Sequence, residues 1–290
     1  MKFRFIQQER RWFSLDALCQ AMGVTRGGYW AWVRRKPGPR QQGDAVLLAD
    51  IRRIHAANRK VYGSPRIHGE LLKSGVRCGR KRVERLMQEN DIRAKQSKKY
   101  KPVTTDSVHE LPVAPNILNR RFNWDRPNAA WVADTTYIRT KDRWLYLAVV
   151  LDLFSRRVVG WAMGSNNDHH LVLRALQMAI QRRRPTAGLI HHSDRGSTYA
   201  SIDYRQELRR HGIICSMSRK GCCYDNAPME SWFHTLKVEL IGGHVFETHR
   251  EATAAIFEYM EVFYNRQRIH TAIGGLTPSE IEEIDRRRRA

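Results

Sequence analysis

The sequence predicts an α/β protein: a mixed five-stranded sheet with helices on both faces, preceded by small all-helical modules. Three observations predict it. Residues 129–164 carry three apolar, β-branched stretches in succession, broken only by short turns. From residue 169 helical and strand-like stretches alternate. Before residue 96 the pattern is helical throughout, with caps and turn glycines but no strand-like run.

In order, AAWVADTTYIRT (129–140), WLYLAVVLDLFS (144–155) and RRVVGWAMG (156–164) read as an antiparallel meander. HHLVLRALQMAIQRRR (169–184) reads as a helix, GLIHHSD (188–194) as a short buried strand, 201–211 as a helix and GIICSMS (212–218) as the fifth strand. DNAPMESWFHTLKVEL (225–240) is a helix, with Pro228 tolerable in its first turn. Three antiparallel strands followed by alternating helices and strands is the ribonuclease-H-like order. Neither a TIM barrel nor a doubly wound parallel sheet begins with such a meander.

Upstream, Ser14 can cap a helix bearing Leu15, Leu18, Cys19 and Met22, which Gly23 ends. Thr25 can cap a second helix carrying Arg26, Tyr29, Trp30 and Trp32, giving a helix-turn-helix pattern whose second helix suits a DNA major groove. RRKPGPRQQGD (34–44) reads as a linker. Residues 45–97 form a second helical unit. In its last helix Arg80, Lys81, Arg82 and Arg85 oppose Val83, Leu86 and Met87. That basic face is either solvated or set against phosphates, and the lysines that follow (Lys95, Lys98, Lys99, Lys101) favour phosphates. The expected organisation is a helix-turn-helix-like module over 1–36, a second basic helical module over 45–97, a linker over 98–122, the sheet domain over 123–242 and a helical extension over 243–290.

Charge narrows the partners. The 290-residue chain holds 51 Lys and Arg against 29 Asp and Glu, so it attracts polyanions. The excess is concentrated in residues 1–100, with 24 basic and 8 acidic side chains, while 101–240 retains 13 acids. Five cysteines without a CxxC pair (Cys19, Cys78, Cys215, Cys222 and Cys223) argue against a disulfide framework and a zinc ribbon. No apolar run is long enough to span a membrane, and MKFRFIQQERR lacks the apolar core of a signal peptide. A reducing cytoplasm is expected.

Three acids stand where elements should converge. Asp134 lies inside a strand, where aspartate is disfavoured. Asp194 ends a strand, and Glu230 lies on the helix after the fifth strand, with 35 residues between them. Hard carboxylate oxygens in such a set suit Mg²⁺ or Mn²⁺. Asp152, also in an apolar strand, is the rival for the first position. Asn226, four residues before Glu230, shares its helical face and could orient it or cap the helix with Asp225. Lys237 lies two turns beyond Glu230. His191 and His192 fall on opposite faces of one strand, which favours packing or DNA contact over metal binding. Cys222 and Cys223 read as structural.

The D,D-35-E pattern is that of retroviral integrases and related transposases. The words WVADTTYI, LYLAVVLDLFSRRVVGW, HHSDRGSTY, SMSRKGCCYDNAPMESWFHTLKVEL and YNRQRIH together resemble the OrfB transposase of the IS-three insertion-sequence family over residues 1–285. The resemblance implies that Asp134, Asp194 and Glu230 bind two Mg²⁺ ions, with Mn²⁺ able to substitute, and that Lys237 contacts the DNA end. It also implies cleavage and strand transfer at terminal inverted repeats, integration into a target, and expression as a fusion with an upstream OrfA. The chain has no heptad run to replace the coiled coil OrfA would bring. Two DNA ends must meet, so a homo-oligomer is expected. The competing readings are a ribonuclease-H-like nuclease without strand transfer and a DNA-binding regulator with a dead catalytic domain. The segment 248–270 reads as a helix ending in a basic turn, whose Tyr264, Arg266 and Arg268 either touch DNA or pack, and RRRRA at the end reads as a solvated tail.

Overall fold

The computed structural model describes residues 1–36, 38–95 and 112–289. Most of the expected linker, together with Lys98, Lys99 and Lys101, lies outside the described residues, as does Ala290.

Three short helices form the first module: α1 (Lys2–Glu9), α2 (Leu15–Met22) and α3 (Arg26–Val33). The caps are those the sequence offers. Ser14 Oγ accepts from the Ala17 N–H at 3.3 Å and Thr25 Oγ1 from the Gly28 N–H at 3.0 Å. Gly23 turns between them at φ 60°, where a side chain would be strained. Ile6, Leu18, Cys19 and Tyr29 make a separate small core, to which the unanticipated α1 contributes Ile6.

The second module is α4 (Pro39–Ala57), α5 (Ser64–Lys73) and α6 (Arg80–Glu89). The expected linker over 34–44 is shorter than the sequence suggested. Proline is tolerated at the first helical position, and the Gln41 side chain accepts the Gly38 N–H at 3.1 Å, so the helix starts at Pro39. Leu47, Ile51, Ile67, Leu71, Val83 and Leu86 belong to the same buried cluster as the sheet domain.

The sheet runs β3-β2-β1-β4-β5, from β1 (Ala130–Arg139), β2 (Trp144–Asp152), β3 (Val158–Gly164), β4 (Ile190–Ser193) and β5 (Ile214–Met217). β1–β2–β3 is the antiparallel meander, and β4 and β5 add parallel. The ribonuclease-H-like order read from the sequence is therefore present. Alternation along β1 splits the core in two. Ala130 and Val132 face the cluster containing α10 (Ala227–Leu236), while Trp131 and Ala133 face α7 (His169–Arg183), α8 (Ser197–Ala200) and α9 (Ile202–Arg210).

β2 stops at Asp152 because its carboxylate is committed to the chain around it. Oδ1 accepts from the N–H groups of Phe154 (2.9 Å) and Ser155 (3.1 Å), and Oδ2 from Asn128 N–H (2.7 Å) and Trp131 Nε1 (3.2 Å). Asp152 is fully buried.

α7 crosses β3 so closely that a Cβ on Gly160 would lie 2.2 Å from the Ala175 carbonyl oxygen and 2.7 Å from Ala179 Cβ. Since both obstacles belong to the helix itself, Gly160→Ala is expected to lower unfolding stability by roughly 2–3 kcal/mol. Urea denaturation checks this, and an unchanged midpoint would show that the helix can move away.

Beyond the sheet, α11 (His249–Glu258) continues into a wide π-turn over Tyr259–Tyr264, and the chain ends in α12 (Pro278–Arg289). The terminal arginines are thus part of a helix rather than a tail. Glu282 of α12, buried, explains its docking: it accepts from Arg183 at 2.9 Å through both oxygens, from Arg157 at 2.8 Å and from Ser155 at 2.7 Å.

Candidate active site

β1 and β4 pair in parallel with Ala130 opposite Ile190 and Val132 opposite His192. Asp134 lies two residues beyond the last residue of β1 in this pairing, and Asp194 two residues beyond the last paired residue of β4. Asp134 sits mid-strand, opposite Val149 of β2, and its Oδ1 accepts the Thr135 N–H at 2.7 Å. Asp194 follows the end of β4, and its Oδ1 accepts the Gly196 N–H at 2.9 Å. α10 packs over β1 and carries Glu230, exposed, at the rim.

The electrostatics join all three. Burial, then the neighbouring Asp194 and Glu230 carboxylates, push Asp134 well above the ordinary aspartate range, while Lys237 opposes the shift. Burial also pushes Glu230 up, and a hydrogen bond with Cys223 partly offsets it. Lys237 is half-buried, with its Nζ 5.4 Å from the Tyr137 ring centre, and burial lowers its pKa against the pull of Asp134. The floor holds Tyr199, which the sequence did not single out. Its hydroxyl is buried without a hydrogen-bond partner among the described residues and feels both Asp134 and Asp194. Among the described residues no group of three or more His, Cys, Asp or Glu stands, as placed, where it could hold a metal ion.

Asn226 donates from Nδ2 to the Ala133 carbonyl at 3.2 Å, tying the start of α10 to β1 next to Asp134. Its contact is with strand backbone rather than with Glu230. Asp225 does more than cap. Buried at the centre of a clamp, it accepts from Arg219 Nε (2.9 Å), Nη2 (2.8 Å) and N–H (3.0 Å), from Arg120 Nε (2.8 Å) and from Asn116 Nδ2 (2.9 Å). These donors hold its carboxyl far below the ordinary aspartate value of 3.8, the Arg219 side chain most strongly. A depressed carboxyl stabilises the fold fully above its unfolded pKa and loses that contribution as pH falls toward the folded one. The 218–226 loop is therefore expected to be protected from proteolysis at about pH 6 and still largely protected near pH 3, with Asp225→Asn open at both. Equal protection of the variant at pH 6 would contradict this.

The remaining sequence candidates fall into place as follows. Asp152 stands at the far end of β2, level with Trp131, saturated by donors and apart from the triad. His191 and His192 are buried. His191 Nε2 meets the Tyr204 hydroxyl at 3.1 Å, and His192 lies between Ser216 Oγ (2.9 Å) and Ser218 Oγ (3.1 Å). Burial lowers their pKa values to about 3 and about 4, so both are neutral packing groups at pH 7. Tyr264 and Arg268 are buried, while Arg266 is exposed. On α6, Arg80 and Lys81 are exposed, but Arg82 and Arg85 are each bound to Asp44 at 2.6 Å. Arg26 pairs with Asp16 at 3.1 Å, both well exposed.

Comparison with known proteins gives the family. Two Integrase core domain models match residues 125–223 and 230–284, and an HTH-like domain model matches 41–100. The chain is 42% identical over 288 residues to Transposase InsF for insertion sequence IS3A of Escherichia coli (strain K12), covering 97% of this chain and 98% of the relative. This chain belongs to the IS3 family of transposases. A second relative, the insertion element IS600 uncharacterized 31 kDa protein of Shigella sonnei, is 47% identical over 266 residues, 92% of this chain and 97% of its own length. Among solved structures, the HTLV-2 integrase catalytic core domain in complex with magnesium gives a TM-score of 0.42 at 18% identity, over 54% of this chain and 97% of that one. A simian T-cell lymphotropic virus intasome gives 0.46 at 16% identity, over 74% of each. As a member of its family the chain is a DDE-type DNA transposase. No helix among the described residues is long and apolar enough to cross a membrane.

Proposed function

We propose that this transposase cuts DNA at the ends of its element and joins them to a target, using divalent metal held by Asp134, Asp194 and Glu230. The observation that supports the reading is that the Asp134 carboxyl, on β1 beneath the helix that bears Glu230, feels the charges of both Asp194, just beyond β4, and Glu230. The donor set fits Mg²⁺: three hard carboxylates whose mutual repulsion a cation relieves. Glu230 is exposed at the rim and would have to swing toward the two aspartates to complete the set. When bound, a pair of such ions activates the attacking oxygen and stabilises the leaving one.

The chain's own residues do the rest. Water or a DNA 3′-hydroxyl attacks a backbone phosphorus in line; a new P–O bond forms, the P–O3′ bond breaks, and the leaving 3′-oxygen takes up a proton. Lys237, beside Asp134, places a positive charge where the strand's phosphates arrive. Asn226 keeps the start of α10 against β1, fixing the distance between Glu230 and Asp134. No serine or tyrosine nucleophile is needed. The helical modules, with Arg26, Arg80 and Lys81 exposed, supply DNA contacts, OrfA completes recognition of the terminal repeats, and two copies bring two ends together.

The test is joining of a labelled element end to a plasmid in Mg²⁺, with the protein alone and fused to OrfA. Joined product that disappears with EDTA is expected. Nicking without joining would favour the nuclease reading, and end binding without either reaction would favour a regulator.

A further inference from the structure

A second basic feature lies away from the triad. Three segments distant in sequence (Arg126–Asn128, Arg182–Thr186 and the end of α12) meet around a cavity of about 690 Å³. Six arginines line it, Arg126, Arg182, Arg183, Arg184, Arg286 and Arg289, against only two acids, Glu282 and Asp285. The acids are already used. Glu282 is locked to Arg183 and Arg157, and Asp285 accepts from Arg289 at 2.9 Å. Arg182 is held by Glu261 at 2.6 Å. Arg126 and Arg184, both exposed, have no carboxylate or hydrogen-bond partner among the described residues.

The ends of α7 and α12 favour cations by their dipoles, and that explains part of the arginine content. It does not explain Arg126, which lies outside any helix, nor the convergence of three segments. The backbone adds a second observation. Arg184 and Asn128 both occupy the left-handed region, at φ 44° and 58°, where residues other than glycine are strained. Arg183 Nε donates to Asn128 Oδ1 at 2.9 Å, so the two strained turns brace each other across the cavity mouth. The result is a rigid floor of paired arginines with two unpaired guanidinium groups at its lip, a geometry that suits the tetrahedral oxyanions of a sugar–phosphate backbone.

We infer that this cavity binds backbone phosphates of a DNA segment separate from the strand at the Asp134 site. Asn128 lies in the turn two residues before β1 and Asp134 is within the strand, so the cavity mouth is at most about 20 Å from Asp134. None of Asp134, Asp194, Glu230 and Lys237 lines the cavity, so a strand engaged at the triad leaves it free for other DNA. Only the identity of the polyanion rests on the transposase reading.

The experiment is duplex binding by the full chain across a range of salt, in an Asp134→Asn background so that chemistry plays no part. Each lost phosphate contact lowers the slope of log K against log salt by about 0.9. Arg126→Gln with Arg184→Gln is expected to reduce the slope by nearly two, with thermal unfolding unchanged. The control pair Arg174→Gln with Arg250→Gln removes the same charge from exposed sites elsewhere and is expected to leave the slope unaltered. Equal falls in both pairs would reduce the effect to net charge and overturn the inference. An unchanged slope in the cavity pair would also overturn it, including the case where that pair instead loses binding to an acidic partner protein.

Discussion

Glu230→Gln is expected to abolish nicking and joining while leaving DNA binding intact. The substitution keeps the side chain's shape and removes its charge. Losing one of three metal carboxylates costs several kcal/mol of transition-state stabilisation, or about a thousandfold in rate. Asp134→Asn should lose at least as much, but with an opposite effect on the fold. Burial, and after it the neighbouring Asp194 and Glu230 carboxylates, disfavours the Asp134 charge, so neutralising it relieves both. Without metal its melting temperature should rise by about 2–4 °C per kcal/mol relieved, whereas Mg²⁺ should stabilise only the wild type. An Asp134→Asn protein that melts below wild type without metal would mean that the carboxylate is structural.

The second large effect concerns Glu239. It lies in the π-turn Lys237–Ile241 that follows α10, where the sequence implied plain α-helix through residue 240. The wide turn directs Glu239 inward. Both its oxygens accept from buried Arg268 at 2.7 Å, Tyr259 donates its hydroxyl at 2.9 Å, and Arg66 of α5 approaches at 3.4 Å. Lys95 reaches the Glu239 carbonyl at 3.2 Å, and Tyr62 accepts the Ile269 N–H at 2.9 Å. One buried carboxylate therefore joins the second helical module, the end of the Glu230 helix and the C-terminal segment. Glu239→Ala leaves Arg268 buried and unpaired and is expected to cost about 3–5 kcal/mol. Urea unfolding checks the figure. A loss under 1 kcal/mol would mean that water enters and replaces the carboxylate.

The contrast shows what the chain reveals before it folds. Strands were legible because they alternate or run apolar, and the two helices Leu15–Met22 and Arg26–Val33 because Ser14, Gly23 and Thr25 act locally. Asp134 drew attention because its strand explains every neighbour but not a carboxylate. The ties that set the site's surroundings were hidden. Glu239 meets Arg268 across 29 residues and Arg66 across 173, and Asp225 meets Arg120 across 105. Nothing in local periodicity marks such pairs. Both π-turns escaped notice because their residues carry ordinary helical patterns, and the wide turn is fixed by what the side chains reach. Arg82 and Arg85 looked free for phosphate only because Asp44, 38 and 41 residues away, could not be placed beside them.

The measurement that bears most directly on the metal assignment is anomalous scattering from Mn²⁺ in crystals of the protein with a DNA end. Two peaks about 4 Å apart, touched by Asp134, Asp194 and Glu230, are the expected result. Manganese bound elsewhere, or at Asp134 and Asp194 with Glu230 turned away in the DNA complex, would contradict the three-carboxylate site.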